Sequence, residues 1–180
     1  MVYLLLGNGF EEIEAIAPCD ILRRGGVEVK TAGIGGKTVT GSHGITVQAD
    51  IAVEEICLDD MEMLILPGGL GGVQSIRGDR MAMDVISKAW DGGKYVSAIC
   101  AAPTVLAELG ITNGKKATCY PGMEEQMGSA LMTGEAVTRD GNVICGQAAG
   151  AAMEFGFTLL AALRDGETAK KVRRAMVCPE

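Results

Sequence analysis

Histidine is almost missing from this chain: His43 is the only one in 180 residues, and tryptophan also occurs once. A single imidazole excludes the multi-histidine zinc sites of hydrolases and zinc fingers. Six cysteines are present (Cys19, Cys57, Cys100, Cys119, Cys145 and Cys178), yet no two stand in a C-x-x-C spacing. That removes zinc ribbons and vicinal dithiol motifs, and no metal is expected. No apolar run reaches the length of a membrane span, and no basic residues precede the short run Val2–Leu6. A soluble, cytoplasmic chain with no membrane partner is the expectation. Cations are in deficit as well, 16 Lys and Arg against 23 Asp and Glu, for a net charge of −7. A nucleic-acid partner is not expected of so acidic a surface.

What is present describes a globular chain. Hydrophobic residues make up 48% and charged residues 22%, which excludes disorder. A chain of this length buries roughly 70% of its unfolded surface and needs no disulfide to fold. No repeat or linker interrupts it, so one domain over residues 1–180 is expected.

Strand and helix patterns alternate. Apolar strands are expected at Val2–Leu6, 27–32, Met63–Leu66 and Tyr95–Ile99, and helices at 11–24, 74–90, 101–109, 151–163 and 167–176. In the first helix Ile13, Ile16, Ala17, Asp20 and Ile21 fall near one face, and Pro18 marks a kink or a late first turn. Hairpins are expected around Gly41-Ser42-His43-Gly44 and at Asp140-Gly141. Lys170, Lys171, Arg173 and Arg174 read as a solvated face near a helix C-terminus. Continuously apolar strands between helices indicate a mostly parallel sheet covered on both faces, an α/β sandwich. In such sheets reactive groups collect beyond the C-terminal strand ends. Residues 7–14, 67–72 and 100–103 fall there.

Cys100 is the candidate nucleophile. It follows an apolar strand, opens a helix, and has Ala98, Ala101 and Ala102 as small neighbours, as a nucleophile elbow requires. A helix N-terminus favours thiolate; the alternative is a buried structural cysteine. Pro67-Gly68-Gly69-Leu70-Gly71-Gly72 fits neither the P-loop nor the dinucleotide register. It is either a tight turn or a nest of backbone N–H groups facing the elbow. Glu11, Glu12 and Glu14 occupy one helix turn, where they complement the macrodipole, and spacing alone does not choose among them. His43 reads as a surface turn residue far from any strand C-terminal end, which leaves no Cys–His pair.

Three blocks in order, Gly9-Phe10-Glu11-Glu12-Ile13-Glu14, Leu66-Pro67-Gly68-Gly69 and Ala98-Ile99-Cys100-Ala101-Ala102-Pro103, resemble the signatures of the ThiJ/PfpI superfamily. The resemblance is closest to its Parkinson disease protein 7 (DJ-1-like) branch and runs through essentially the whole chain. It implies a flavodoxin-like sandwich and a homodimer. It implies that Cys100 is the reactive, oxidation-prone cysteine and that Glu14 is the protonated carboxyl bonded to it. Gly68, Gly69 and Ala101 are implied as anion-binding backbone. Tyr120 stands where many members carry a histidine before a proline. A phenol is a poor base near neutral pH, so a cysteine protease is disfavoured while a Cys–Glu pair is left intact.

The function implied is cysteine-dependent chemistry on reactive carbonyls, of glyoxalase or deglycase type, needing no cofactor. The substrate would be a small carbonyl or a glycated protein. The alternative is a redox sensor without turnover, in which Cys100 passes to sulfinate. A thiazole phosphate site, as in a thiamine-related role, has no support in the sequence.

Overall fold

The computed structural model describes residues 1–178. In chain order the elements are β1 (Val2–Leu6), α1 (Glu12–Arg24), β2 (Val29–Gly33), β3 (Thr38–Thr40), β4 (Thr46–Gln48), β5 (Ile51–Ala52) and β6 (Met63–Leu66). Then come α2 (Leu70–Gly78), α3 (Arg80–Asp91), β7 (Tyr95–Ile99), α4 (Pro103–Glu108), β8 (Lys116–Ala117) and β9 (Leu131–Met132). The chain ends with β10 (Val137–Asp140), β11 (Val143–Gly146), α5 (Ala152–Leu163) and α6 (Gly166–Ala175).

Seven strands form the main sheet in the order β10-β11-β7-β6-β1-β2-β5. All its pairings are parallel except β10 with β11, the hairpin at Asp140-Gly141. Every residue of β1 and β6 is buried, as a sheet covered on both faces demands. The period of two sorts them into two cores: Tyr3 and Leu5 join one, and Val2, Leu4 and Leu6 join the other. The mostly parallel sandwich inferred from the sequence is the fold observed.

The expected helix at 74–90 is two helices. Gly78 ends α2, and Asp79 adopts φ −102 and ψ 112 and accepts the Ala82 N–H at 2.8 Å, capping α3. The expected helix at 101–109 starts later, at Pro103, because Cys100 to Ala102 form the turn itself. Pro18 lies within the single helix α1. There α5 comes close: a Cβ on Gly156 would meet Ile21 Cδ1 at 2.7 Å and Pro18 Cα at 3.1 Å.

The α1 face picked out by spacing is divided, and its Ile21 is buried. Glu12 and Glu14 are buried, while Ile13 and Ile16 are exposed. Helical spacing marks an apolar stripe, but it does not say that the stripe faces this chain's own core.

The β3–β4 hairpin also departs from expectation. It packs on the loop after β1: Gly9 N–H donates to Thr40 O at 2.8 Å and Ser42 N–H donates to Phe10 O at 2.8 Å. His43 is a surface turn residue, as expected, but it stands beside a strand C-terminal end and not far from one. Glu12 draws it in, accepting the His43 N–H at 2.8 Å and sitting 2.9 Å from its Nδ1.

Candidate functional site

β7 delivers Cys100 to the C-terminal edge of the sheet, between β6 and β11. The residue has φ 67, one of only two non-glycine residues with positive φ among those described. A side chain in that region costs roughly 1–3 kcal/mol and persists only when its surroundings hold it. Here two backbone bonds hold it. Cys100 N–H donates to Gly146 O at 2.9 Å, and Tyr120 N–H donates to Cys100 O at 2.7 Å. Ala98, Ala101 and Ala102 are buried around the turn and leave it room.

Glu14 reaches the same point from α1. The helix starts where it does because Glu11 caps it, its Oε2 accepting the Glu14 N–H at 2.8 Å. Glu11 N–H in turn donates to Gly68 O at 3.0 Å. The Glu14 side chain is fully buried. Its Oε2 accepts the Gly68 N–H at 2.9 Å, and its Oε1 has no hydrogen-bond partner. Cys100 lies within reach of the carboxyl. Of the three carboxylates that spacing left equivalent, Glu14 meets the cysteine, Glu11 caps the helix and Glu12 anchors the hairpin.

The backbone donors are Gly69 and Ala101, whose N–H groups lie near the Cys100 sulfur and act to lower its pKa. Gly68 is a correction to the expected trio. Its N–H is directed to Glu14, so it holds the carboxyl and does not offer itself to an anion.

Burial pushes the Glu14 carboxyl up to about 7, and the charge of Glu11 adds to the effect. Burial also pushes the Cys100 thiol up, to about 12, followed by the charge of Glu14 and the hydrogen bond between them. The thiolate-favouring helix N-terminus expected from the sequence does not prevail. α4 is short and begins three residues beyond the sulfur, and the pull of the two N–H groups is smaller than desolvation plus repulsion. The repulsion exists only while Glu14 is ionised. With its proton on, Glu14 becomes a donor to sulfur, so the two groups titrate as one pair.

Glu12, by contrast, is a carboxylate throughout. Burial raises it, but the side-chain and backbone hydrogen bonds of His43 outweigh that and hold it at about 2. The hydrogen bond with Glu12 raises the His43 imidazole. Glu11, Glu12 and His43 each bring one potential metal-ligand atom within 4.8 Å of the others. In the fold the three serve as an ion-pair cluster fixing the hairpin.

Of the remaining cysteines only Cys178 is partly exposed as Cys100 is. Cys19, Cys119 and Cys145 are buried, and Cys57 is exposed. Burial pushes the Cys119 thiol up to about 11, and its Sγ points to the Tyr120 carbonyl at 3.5 Å. Sequence reasoning missed Gly146 and the Tyr120 N–H as braces of the elbow, because backbone groups leave no residue signature.

The family model described as DJ-1/PfpI family matches residues 1–162. Protein dj-1beta of Drosophila melanogaster is 34% identical over 177 residues, covering 97% of this chain and 95% of that protein. A Pyrococcus abyssi protein named as a deglycase is 36% identical over 126 residues, 70% of this chain and 75% of its own. The crystal structure of Drosophila melanogaster DJ-1beta superposes with a TM-score of 0.93 at 33% identity, covering 99% of this chain and 98% of that one.

Proposed function

Taking as premise that the chain belongs to the DJ-1/PfpI family, we propose that it acts on reactive carbonyl compounds through Cys100 and Glu14, in glyoxalase- or deglycase-like chemistry. The observation that carries this reading is the pairing of a thiol held at positive φ with a fully buried carboxyl that titrates at about 7. The deglycase name of a relative supports the substrate class.

The chemistry follows from the pair. Glu14 takes the thiol proton, and the sulfur adds to the aldehyde carbon as the C=O π bond opens onto oxygen. The Gly69 and Ala101 N–H groups near the sulfur would be the donors to the developing oxyanion. Glu14 returns the proton to that oxygen, which completes a hemithioacetal. No metal or cofactor enters this addition. The family histidine is Tyr120 here, so the proton traffic falls to Glu14 alone.

A second reading is a protective redox protein in which Cys100 is oxidised to sulfinate. The two N–H groups near the sulfur favour it, since they would bond the added oxygens. One experiment separates the readings. Steady-state consumption of methylglyoxal, absent in Cys100→Ala, supports catalysis. No consumption, with a peroxide-driven gain of two oxygens on the Cys100 peptide, supports the protective role and rejects the enzyme.

The same reading includes a homodimer. Ile13, Ile16, Ile45 and Met153 are exposed and line one apolar depression with Val47 and Met176. A second copy covering this face accounts for the outward apolar stripe of α1. Ile16→Glu is expected to give a monomer by sedimentation. An unmodified chain that already sediments as a monomer at micromolar concentration contradicts the dimer.

A further inference from the structure

Each of the two backbone donors is followed at once by a helix. Leu70 opens α2 directly after Gly69, and Pro103 opens α4 two residues after Ala101. One side chain ties these helices together. Arg77, in the last turn of α2, donates from Nη2 to Thr104 Oγ1 and from Nε to Glu108 Oε2, both at 2.9 Å. Thr104 and Glu108 lie one turn apart on α4, so a single guanidinium spans both. The Glu108 bond is at the surface and by itself contributes little. The Thr104 bond differs, because that residue is only 1% exposed.

The direction of the Thr104 bond is fixed by chemistry. A guanidinium has donors and no acceptor, so Thr104 Oγ1 accepts from Arg77. Its one proton is left for the Ala101 carbonyl oxygen, 2.6 Å away. Ala101 O also accepts the Thr104 N–H, at 3.2 Å. The peptide on the other side of Ala101 is held at its own oxygen, where Cys100 O accepts the Tyr120 N–H at 2.7 Å. Both peptide planes that meet at Ala101 are therefore pinned, and the Cys100–Ala101 plane carries the N–H near the sulfur. Cys100 sits at φ 67, a region that persists only while its surroundings hold it, so a lost pin lets this turn relax.

We propose that Arg77 and Thr104 are positioning residues of the Cys100 site: Arg77 commits the Thr104 hydroxyl to Ala101 O, and that bond keeps the Ala101 N–H in place beside the sulfur. This rests on the carbonyl reading of the same site and deepens it, since that N–H is one of the two donors assigned to the oxyanion. Both side chains act through the backbone, and neither needs to touch a substrate.

The test follows Cys100 alkylation by iodoacetamide against pH in the full chain, mapped to the Cys100 peptide. Thr104→Val keeps the shape and removes the hydroxyl. Its midpoint is expected about one pH unit above that of the unmodified chain, so that below the midpoint the rate falls about tenfold. Thr104→Ser restores the hydroxyl and is expected to keep the unmodified profile. Arg77→Met leaves the hydroxyl unoriented, and a loss of about threefold is expected. Adding Arg77→Met to Thr104→Val is expected to change the rate no further, because the arginine acts only through the hydroxyl. A brace with no bearing on the donor would lower the melting temperature and leave every profile superimposed, and that result overturns the proposal. So does a double variant whose loss is the product of the single losses. Arg77 is 33% exposed, and if Thr104→Val does not fold, an unmoved profile in Arg77→Met overturns the proposal by itself. Methylglyoxal turnover keeps the two claims apart. Shifted profiles with no aldehyde consumed reject the carbonyl reading and keep the brace. Turnover whose kcat is the same in the unmodified chain, Arg77→Met and Thr104→Val rejects the brace and keeps the carbonyl reading. A lowered kcat at unchanged KM supports both.

Discussion

A single methyl group at position 68 is expected to lower the melting temperature by about 10 °C and to slow Cys100 alkylation at least about tenfold. A Cβ on Gly68 would meet Glu14 Oε2 at 2.5 Å, Cys100 Cβ at 2.7 Å and Ile99 O at 2.9 Å. None of the three has room to retreat. Glu14 is fully buried and bonded to Gly68 N–H. Ile99 O accepts the Ala102 N–H at 3.1 Å within the elbow turn. Cys100 is fixed by its bonds to Gly146 and Tyr120. Overpacking of this kind costs about 3 kcal/mol, and every route of relief separates the carboxyl from the sulfur. Thermal unfolding of Gly68→Ala within about 2 °C of the unmodified chain would mean that the three groups are looser than described.

Replacing Glu14 by glutamine is expected to stabilise the protein at alkaline pH and to leave it unchanged at acid pH. The carboxyl titrates at about 7 in the fold against an ordinary value of 4.5. Its folded pKa is raised, so the folded state holds the proton more tightly than the unfolded state does. The stability this provides is complete below pH 4.5 and is lost as pH rises to about 7. The loss amounts to about 3 kcal/mol. Glutamine carries no such loss, and its amide can donate as the protonated acid does. Urea unfolding is expected to show the two proteins alike near pH 4.5 and the variant ahead by up to about 3 kcal/mol near pH 8. A difference that does not change with pH would mean that Glu14 is not a titrating buried acid.

The strands were readable because β1, β6 and β7 are unbroken apolar runs, and such runs have few alternatives to a doubly covered sheet. The break at Asp79 was not, because the apolar spacing continues through Gly78-Asp79 and hides a cap inside a longer pattern. Cys100 stood out by its position at a strand end among alanines. Glu14 did not, because which of three neighbouring carboxylates turns inward depends on the Glu11 cap and on what the helix packs against. The outward direction of Ile13 and Ile16 was hidden for the same reason. Least legible was the acidity of the thiol. A helix N-terminus is visible in sequence, whereas the desolvation and the neighbouring charge that outweigh it are properties of the assembled site. His43 shows the reverse error. Its turn was plain, but its place beside the strand end follows from Glu12, a partner 31 residues away.

The central claim is that Glu14 and Cys100 share one proton, and the pH dependence of Cys100 alkylation tests it directly. Peptide mapping is needed because Cys57 is exposed while Cys100 is only partly so. In the unmodified chain the rate should rise with a midpoint near 7, where the pair gives up its first proton. In Glu14→Gln no internal base remains and burial still opposes the thiolate. The midpoint should therefore move up, to the ordinary thiol value of 9.0 or beyond. A midpoint that stays in place when Glu14 is replaced would contradict the shared proton and, with it, the mechanism built on the pair.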